Sequence, residues 1–86
     1  MSEVTVTVLL FAKARELVGS SSVTTSVPAT IGYLQLLTHL EEQFPVLQRL
    51  DRAFVLSLNE NYFEEEQQLE LVTGDEIAVI PPISGG

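Results

Sequence analysis

The fold of this chain is decided by the stretch Glu76-Ile77-Ala78-Val79-Ile80, a short run of mostly apolar residues close to the end of the sequence. It is predicted to be a strand, preceded by a turn at Thr73-Gly74-Asp75 and ended by Pro81-Pro82, because proline lacks the N–H that a sheet needs. A second strand, Val4-Thr5-Val6-Thr7-Val8-Leu9-Leu10, lies near the start of the chain and alternates with period two. Parallel strands need a long crossover, so we expect the last strand to pair beside the first at the centre of one sheet.

The alternation in the first strand predicts that one face packs against a core and that the other face points away from it. Alternation leaves Leu9 and Phe11 on the outer face, as a second buried layer or as a partner surface. A short helix over residues 12–18, ended by Gly19, and a second alternating strand over residues 23–27 should complete a hairpin with the first strand. The core face of the first strand comprises Val4, Val6, Val8 and Leu10.

One long amphipathic helix follows the hairpin. Thr30 is a candidate N-cap, since a threonine hydroxyl accepts from a free backbone N–H of the first turn. Pro45 should end the helix because its ring disfavours helical geometry in the preceding residue. The helix should pack on the sheet through a stripe made of Tyr33, Leu36, Leu37, Leu40 and Phe44.

The rest of the chain predicts short strands joined by turns. A third strand carries Phe54, Leu56 and Leu58, a turn covers residues 59–61, and two short strands lie near residues 62–63 and 69–72. This order indicates an α+β domain of the β-grasp type, with a mixed sheet of four to five strands packed on one long helix. Residues 1–80 should form the domain, and residues 81–86 a flexible tail.

Composition restricts the classes of function. The chain has no cysteine and a net charge of −8, so thiol chemistry, disulfides and thiolate metal sites are excluded, and nucleic acid or an anionic membrane would repel it. Eight of the twelve acidic residues lie between Asp51 and Glu76, which favours either a basic protein partner or a plain solubilising surface. We find no targeting or membrane segment and expect a cytosolic protein.

The last six residues, Pro81-Pro82-Ile83-Ser84-Gly85-Gly86, should project from the domain. Fully extended they reach about 20 Å, far enough for the final carboxylate to enter a pocket on another protein. Glycine lacks a Cβ, so the carboxylate of Gly86 can pass a narrow channel and attack the α-phosphate of ATP to give an acyl-adenylate. A disordered terminus that happens to end in two glycines is the alternative interpretation.

Two segments raise the chemical interpretation above that alternative. The stretch from Gly74 to Gly86 resembles the C-terminus of molybdopterin synthase small subunits, which are ubiquitin-like sulfur carriers. Phe11-Ala12-Lys13-Ala14-Arg15-Glu16-Leu17-Val18-Gly19 is similar to their segment after the first strand, and Asn59 also fits the family. The resemblance covers nearly the whole chain, whereas residues 20–22 and 64–68 contribute little to it.

The resemblance implies a cycle in which this chain supplies the reacting group and others supply the catalytic pockets. A ubiquitin-activating-type adenylyltransferase would adenylate Gly86 with ATP and magnesium, and a sulfurtransferase would convert it to a thiocarboxylate. The tail would then enter the large synthase subunit, in a heterotetramer, and donate sulfur to a cyclic pterin precursor. The chain itself would be a non-catalytic, sulfur-donating subunit without a tightly bound cofactor.

Candidate site residues follow from the tail and from the segment after the first strand. Gly86 is the reacting residue and Gly85 gives it clearance, while Phe11 and Arg15 are candidate partner contacts. His39 has no second ligand near it in the sequence, and the Glu64-Glu65-Glu66 run lacks the spaced ligands of a cation loop, so no metal site is expected. The remaining candidate partner contacts are Ile80, Pro81, Pro82, Ile83 and Ser84.

Three alternative functions remain open. Sulfur carriers of thiamin, cysteine or transfer-RNA thiolation pathways also end in Gly-Gly, although Pro-Pro-Ile-Ser before it argues against them. A protein modifier would join Gly86 to a lysine of a target, and Lys13 is the only lysine through which this chain itself could be extended. A binding module with an idle tail is the third.

Overall fold

The structure is a computed structural model that describes residues 2–63 and 67–82. Two α-helices are interleaved with strands in the predicted order, except that the structure adds a three-residue strand at Thr30–Gly32 before the second helix and a 3₁₀-helix at Pro45–Leu50 after it. The helices are α1 (Ala12–Val18) and α2 (Tyr33–Gln43). The strands are β1 (Glu3–Leu10), β2 (Ser22–Pro28), β3 (Thr30–Gly32), β4 (Val55–Leu58), β5 (Asn61–Tyr62), β6 (Gln68–Glu70) and β7 (Glu76–Ile80).

The main sheet has the order β2-β1-β7-β4-β5. The last strand pairs parallel with the first, with Val8 opposite Ile77, and antiparallel with β4, with Leu56 opposite Val79. β7 therefore lies at the centre of the sheet, as predicted, because the chain between β1 and β7 supplies the long crossover that a parallel pair needs. The β-grasp prediction is confirmed, with five strands in the mixed sheet.

The core lies between the inner face of this sheet and α2. Val6, Val8 and Leu10 of β1 are almost fully buried, and Leu36 and Leu40 of α2 are completely buried. Val4 is partly buried, and Phe44 at the end of α2 packs on the edge of the core. The predicted strand face and helical stripe are thus both confirmed, since one period-two and one period-3.6 pattern bury the same apolar layer.

The start of α2 differs from the prediction. Thr30 is not the N-cap: it lies in β3, which pairs with β6 in a second, two-stranded sheet. The helix begins two residues later, where the backbone N–H of Gly32 donates to Oε1 of Gln35 over 3.0 Å. Pairing with a strand about forty residues away overrides the local preference of threonine for an N-cap, and a glutamine side chain takes over the capping.

Candidate functional site

The candidate site is the end of β7, where the chain leaves the sheet. Ile80 is half-buried opposite Val55 of β4, Pro81 is buried, and Pro82 is exposed. A groove of about 450 Å³ surrounds this exit. Its lining comprises Arg52, Ala53, Phe54, Val55, Ile80, Pro81 and Pro82. The base of the tail is therefore held against the domain, and Pro82 is the first exposed residue beyond it.

An apolar surface lies on the outer face of the sheet beside this exit; we call it the outer-face patch. The registers align Leu9, Ala78, Ser57 and Tyr62 as one row across four strands, and Val55 and Ile80 as part of the next. Phe11, Val55 and Tyr62 are 47%, 46% and 70% exposed. The outer-face patch comprises Leu9, Phe11, Val55, Tyr62, Ala78 and Ile80. Exposed aromatic and aliphatic side chains grouped in this way are typical of protein–protein contact surfaces.

Carboxylates border the outer-face patch. Glu60 and Glu76 line the shallow groove of about 230 Å³ that runs over its apolar side chains. The chain as a whole carries a net charge of −8. An apolar centre with an acidic rim complements a partner that presents apolar side chains within a basic surround.

Arg52 stands at the other side of the tail exit and is held by α2. Its guanidinium donates to the Glu41 carboxylate, with 2.9 Å between Nη2 and Oε1, and to the Thr38 hydroxyl at 3.1 Å. The hydrogen bond and charge of Glu41 raise the pKa of Arg52 above its ordinary value. Asp51 and Arg52 both have positive φ angles, of 51° and 59°, and the ion pair holds this turn against the helix.

The start of β7 is positioned by Asn59. Its amide Nδ2 donates to Oδ1 of Asp75 over 3.0 Å, and its Oδ1 accepts the backbone N–H of Glu76 over 2.9 Å. Asn59 has a φ of 48°, a left-handed geometry that asparagine tolerates better than most residues. The turn after β4 is in this way joined directly to the strand that leads to the tail.

The predicted site residues divide into three groups. Phe11, Ile80, Pro81 and Pro82 lie together at the patch and the tail exit. Arg15 lies one helical turn beyond Phe11 on α1 and is exposed, and it makes no side-chain hydrogen bond or ion pair with the part of the chain that the structure describes. Ile83, Ser84, Gly85 and Gly86, and likewise the Glu64-Glu65-Glu66 run, lie outside the described residues.

Sequence reasoning missed three members of the outer-face patch: the exposed Val55 and Tyr62, and Ala78, which is buried between them and Leu9 in the sheet. The alternation of Phe54, Leu56 and Leu58 directs Val55 to the other face, so period two could have revealed it. Tyr62 gave no such signal. It joins the patch because β5 pairs with β4 through the left-handed turn at residues 59–60, and that register is a tertiary result.

Other functional classes find little support in the residues described. Within residues 2–63 and 67–82 no group of three metal-ligating side chains comes together. His39 uses Nε2 for a hydrogen bond of 2.6 Å to the backbone carbonyl of Ser26. Among the described residues no helix has the length and apolar character to cross a bilayer.

Comparison with known proteins gives one family. The model of the ThiS family matches residues 8–86. The molybdopterin synthase sulfur carrier subunit of Homo sapiens is 46% identical over 82 residues, which span 94% of this chain and 93% of the human protein. The subunit of the same name from Arabidopsis thaliana is 41% identical over 85 residues, spanning 99% of this chain and 86% of that protein.

Solved structures share the fold. SAMP1 from Haloferax volcanii superimposes with a TM-score of 0.75 at 27% identity, over 95% of this chain and 99% of that one. The small archaeal modifier protein 1 from Methanosarcina acetivorans gives 0.75 at 26% identity over the whole of both chains. A protein from the complex of subunits 1 and 2 of the molybdopterin-converting factor of Helicobacter pylori gives 0.65 at 20% identity, over 95% and 99% of the two chains, and this likeness concerns the fold.

Proposed function

Because this chain belongs to the ThiS family, we propose that it is the sulfur carrier subunit of a molybdopterin synthase and acts in molybdenum cofactor biosynthesis. The observation that carries the proposal is the 46% identity to the human subunit of that name over 94% of this chain. The geometry supports it, because the chain leaves the sheet beside an apolar patch and four residues remain beyond Pro82. A tail beside a docking surface is what a carrier needs in order to deliver its last residue.

The reacting group is the carboxylate of Gly86. One carboxylate oxygen attacks the α-phosphorus of ATP, a new acyl–phosphate bond forms, and pyrophosphate leaves. Sulfide released by a donor as HS⁻ then attacks the acyl carbon, a carbon–sulfur bond forms as the carbon–oxygen bond to AMP breaks, and AMP and a proton leave, so the product is a thiocarboxylate. Neither step uses a group of the described domain, and an adenylyltransferase with a sulfurtransferase would supply both pockets together with ATP and magnesium.

The large synthase subunit is the partner that we propose for the outer-face patch and the tail. Docking of Phe11 and Tyr62 would exclude water from the contact and bring the base of the tail to the entrance of the partner's pocket. Residues 83–86 span at most about 14 Å when extended, so the pocket has to begin close to the patch. A basic rim on the partner would match Glu60 and Glu76 and speed the encounter. All these steps are proposed to take place in the cytosol.

Mass spectrometry of the intact chain tests this chemistry directly. Incubation with an activating enzyme, ATP, magnesium and a sulfur donor should convert the Gly86 carboxylate to a thiocarboxylate, which replaces one oxygen by sulfur. The thiocarboxylated chain, added to a cognate large subunit with the pterin precursor, should give dithiolene product. A variant extended by one residue beyond Gly86 should form no thiocarboxylate. Thiocarboxylate formation in that variant, without prior removal of the added residue, would contradict the proposal.

The likeness to the archaeal modifier proteins favours a second candidate, a protein modifier. In that function the activated Gly86 would form an amide with a lysine of a target and release AMP. One experiment distinguishes the two functions. A modifier yields amide-linked adducts with target proteins, and these survive thiol reductants and hydroxylamine. A thiocarboxylate chain without such adducts would favour the sulfur carrier.

A further inference from the structure

The strand β2 forms one free edge of the main sheet. Backbone hydrogen bonds from Leu10 N to Ser21 O and from Ala29 N to Ser2 O bracket the β1–β2 pair. In an antiparallel pair the directly bonded residues alternate, so residues 23, 25 and 27 bond to β1. Ser22, Thr24, Ser26 and Pro28 therefore direct their backbone groups away from the sheet, where another strand could pair with them.

β2 itself has no charged side chain to discourage such pairing, and Glu42 of α2 lines a groove together with Pro28 and His39. No Lys, Arg, Asp or Glu occurs between Glu16 and Glu41, whereas the whole chain carries a net charge of −8. β2 itself consists of Ser, Val, Thr and Pro, and its serine and threonine at positions 22, 24 and 26 are exposed. Charged residues at an edge are the usual protection against strand addition, so β2 needs other protection. β5, at the other edge, is only two residues long.

Three features limit the backbone groups that this edge can offer to another strand. Nε2 of His39 lies 2.6 Å from the carbonyl oxygen of Ser26; a carbonyl can only accept, so this nitrogen carries the hydrogen. The hydroxyl of Ser20 donates to the carbonyl of Ser22 over 2.8 Å. Pro28 has no N–H to offer. Two carbonyls on either side of Thr24 are thus engaged within the same molecule.

We propose that His39 and Ser20 are edge caps that keep β2 closed, and that the strand they exclude is β2 of a second copy of this chain. A two-fold antiparallel pair centred on Thr24 would place Ser22 of one copy opposite Ser26 of the other. Each capped carbonyl would then be needed as an acceptor for the facing N–H. Because β2 carries no charged side chain, pairing of two β2 strands would place no like charges directly opposite each other. This proposal is independent of the sulfur carrier function.

Sedimentation velocity over a concentration series tests the proposal on the full chain. The wild type should sediment as a monomer, and His39→Ala should self-associate at least about tenfold more tightly, because two-fold symmetry frees the Ser26 carbonyl twice in each dimer. His39→Gln is the matched control: its Nε2 can donate in place of the ring nitrogen, so this variant should sediment close to the wild type. Ser20→Ala opens the second cap without touching α2 and supplies the same test if His39→Ala fails to fold.

The double variant Thr24→Lys with His39→Ala identifies the surface involved. A lysine at the centre of the two-fold pair should return the protein to the monomer, with an unchanged far-ultraviolet circular dichroism spectrum. Association that persists in the double variant, or a capped wild type that already pairs through β2, would overturn the proposal. Monomeric behaviour of both His39→Ala and Ser20→Ala at every concentration, with native spectra, would overturn it as well.

Discussion

Asn59 and Asp75 are joined by a hydrogen bond of 3.0 Å between Nδ2 and Oδ1, across a separation of sixteen residues. The second oxygen of Asp75 accepts the backbone N–H of Val72 over 2.9 Å, so one carboxylate shapes its own turn and holds the Asn59 turn as well. Glu76, the first residue of β7, donates its backbone N–H to the Asn59 side chain and accepts from the Asn59 backbone N–H at 2.8 Å. The strand that carries the tail is therefore anchored at its start by a residue outside it.

Asn59→Ala should destabilise the domain by about 2–3 kcal/mol, measured by urea denaturation. The variant loses two side-chain hydrogen bonds and places alanine at a positive φ of 48°, which alanine tolerates poorly. Asn59→Gly is the control: glycine loses the same hydrogen bonds and accepts this φ, but it also loosens the unfolded chain. The free energy of unfolding should therefore fall no further in Asn59→Gly than in Asn59→Ala, and a clearly larger fall in Asn59→Gly would contradict a contribution of the backbone angle.

Phe11→Ala and Tyr62→Ala should each weaken binding to the large subunit by at least about tenfold, measured by calorimetry. Both side chains are exposed in the outer-face patch, so their removal should change the free energy of unfolding by less than about 1 kcal/mol. Leu34→Ala is the matched control, because Leu34 is a 53% exposed apolar residue of α2 that lies outside the patch. If Leu34→Ala weakens binding as much as the other two, the patch is not the docking surface.

Pro81→Gly should lower the stability of the domain more than Pro82→Gly. Both substitutions loosen the unfolded chain, at about 0.4–1 kcal/mol each, but only the Pro81 ring is buried in the groove at the tail exit. Thermal denaturation of the two single variants gives the comparison. Equal shifts in Tm would mean that the base of the tail does not pack on the domain.

Gln35→Ala should lower the free energy of unfolding by about 1 kcal/mol, because the helix loses the cap on Gly32. Thr30→Ser should lower it much less. Urea denaturation of each variant shows which of the two substitutions destabilises the domain more. A cost of Gln35→Ala below a few tenths of a kcal/mol would place the start of α2 elsewhere. Gln35→Glu is a useful control, because a glutamate can accept the same N–H.

The strongest patterns in the sequence predicted most of the fold. Period-two alternation in β1 and the apolar stripe of α2 were confirmed, with partial burial at Val4 and Phe44, because burial of a face constrains the positions of a regular element. Gly19, predicted to end α1, has the left-handed φ of 86° that favours glycine. The central parallel position of β7 followed from chain order alone, since few topologies satisfy a long crossover.

The predictions were wrong or incomplete where pairing with a distant strand decides the local structure. Thr30 looked like a helix cap, yet β6 recruited it into a strand, and no pattern within a few residues of Thr30 reports that contact. Tyr62 joined the outer-face patch only through the register of β5 on β4. The roles of Gly85 and Gly86 stay predictions, because they follow from the tail sequence and the family.

By itself, the sequence determined the order of the two α-helices and the main-sheet strands, the inward faces of β1 and α2, and the family through the residues around Phe11 and after Gly74. These properties depend on residues that lie close together along the chain, through side-chain periodicity and the residues that form turns. Only the tertiary structure decided that the outer-face patch lies beside the tail exit, that Asn59 anchors β7, and that His39 caps Ser26. Such contacts join residues far apart in sequence, and they depend on strand register and on the packing of α2, which no local pattern specifies.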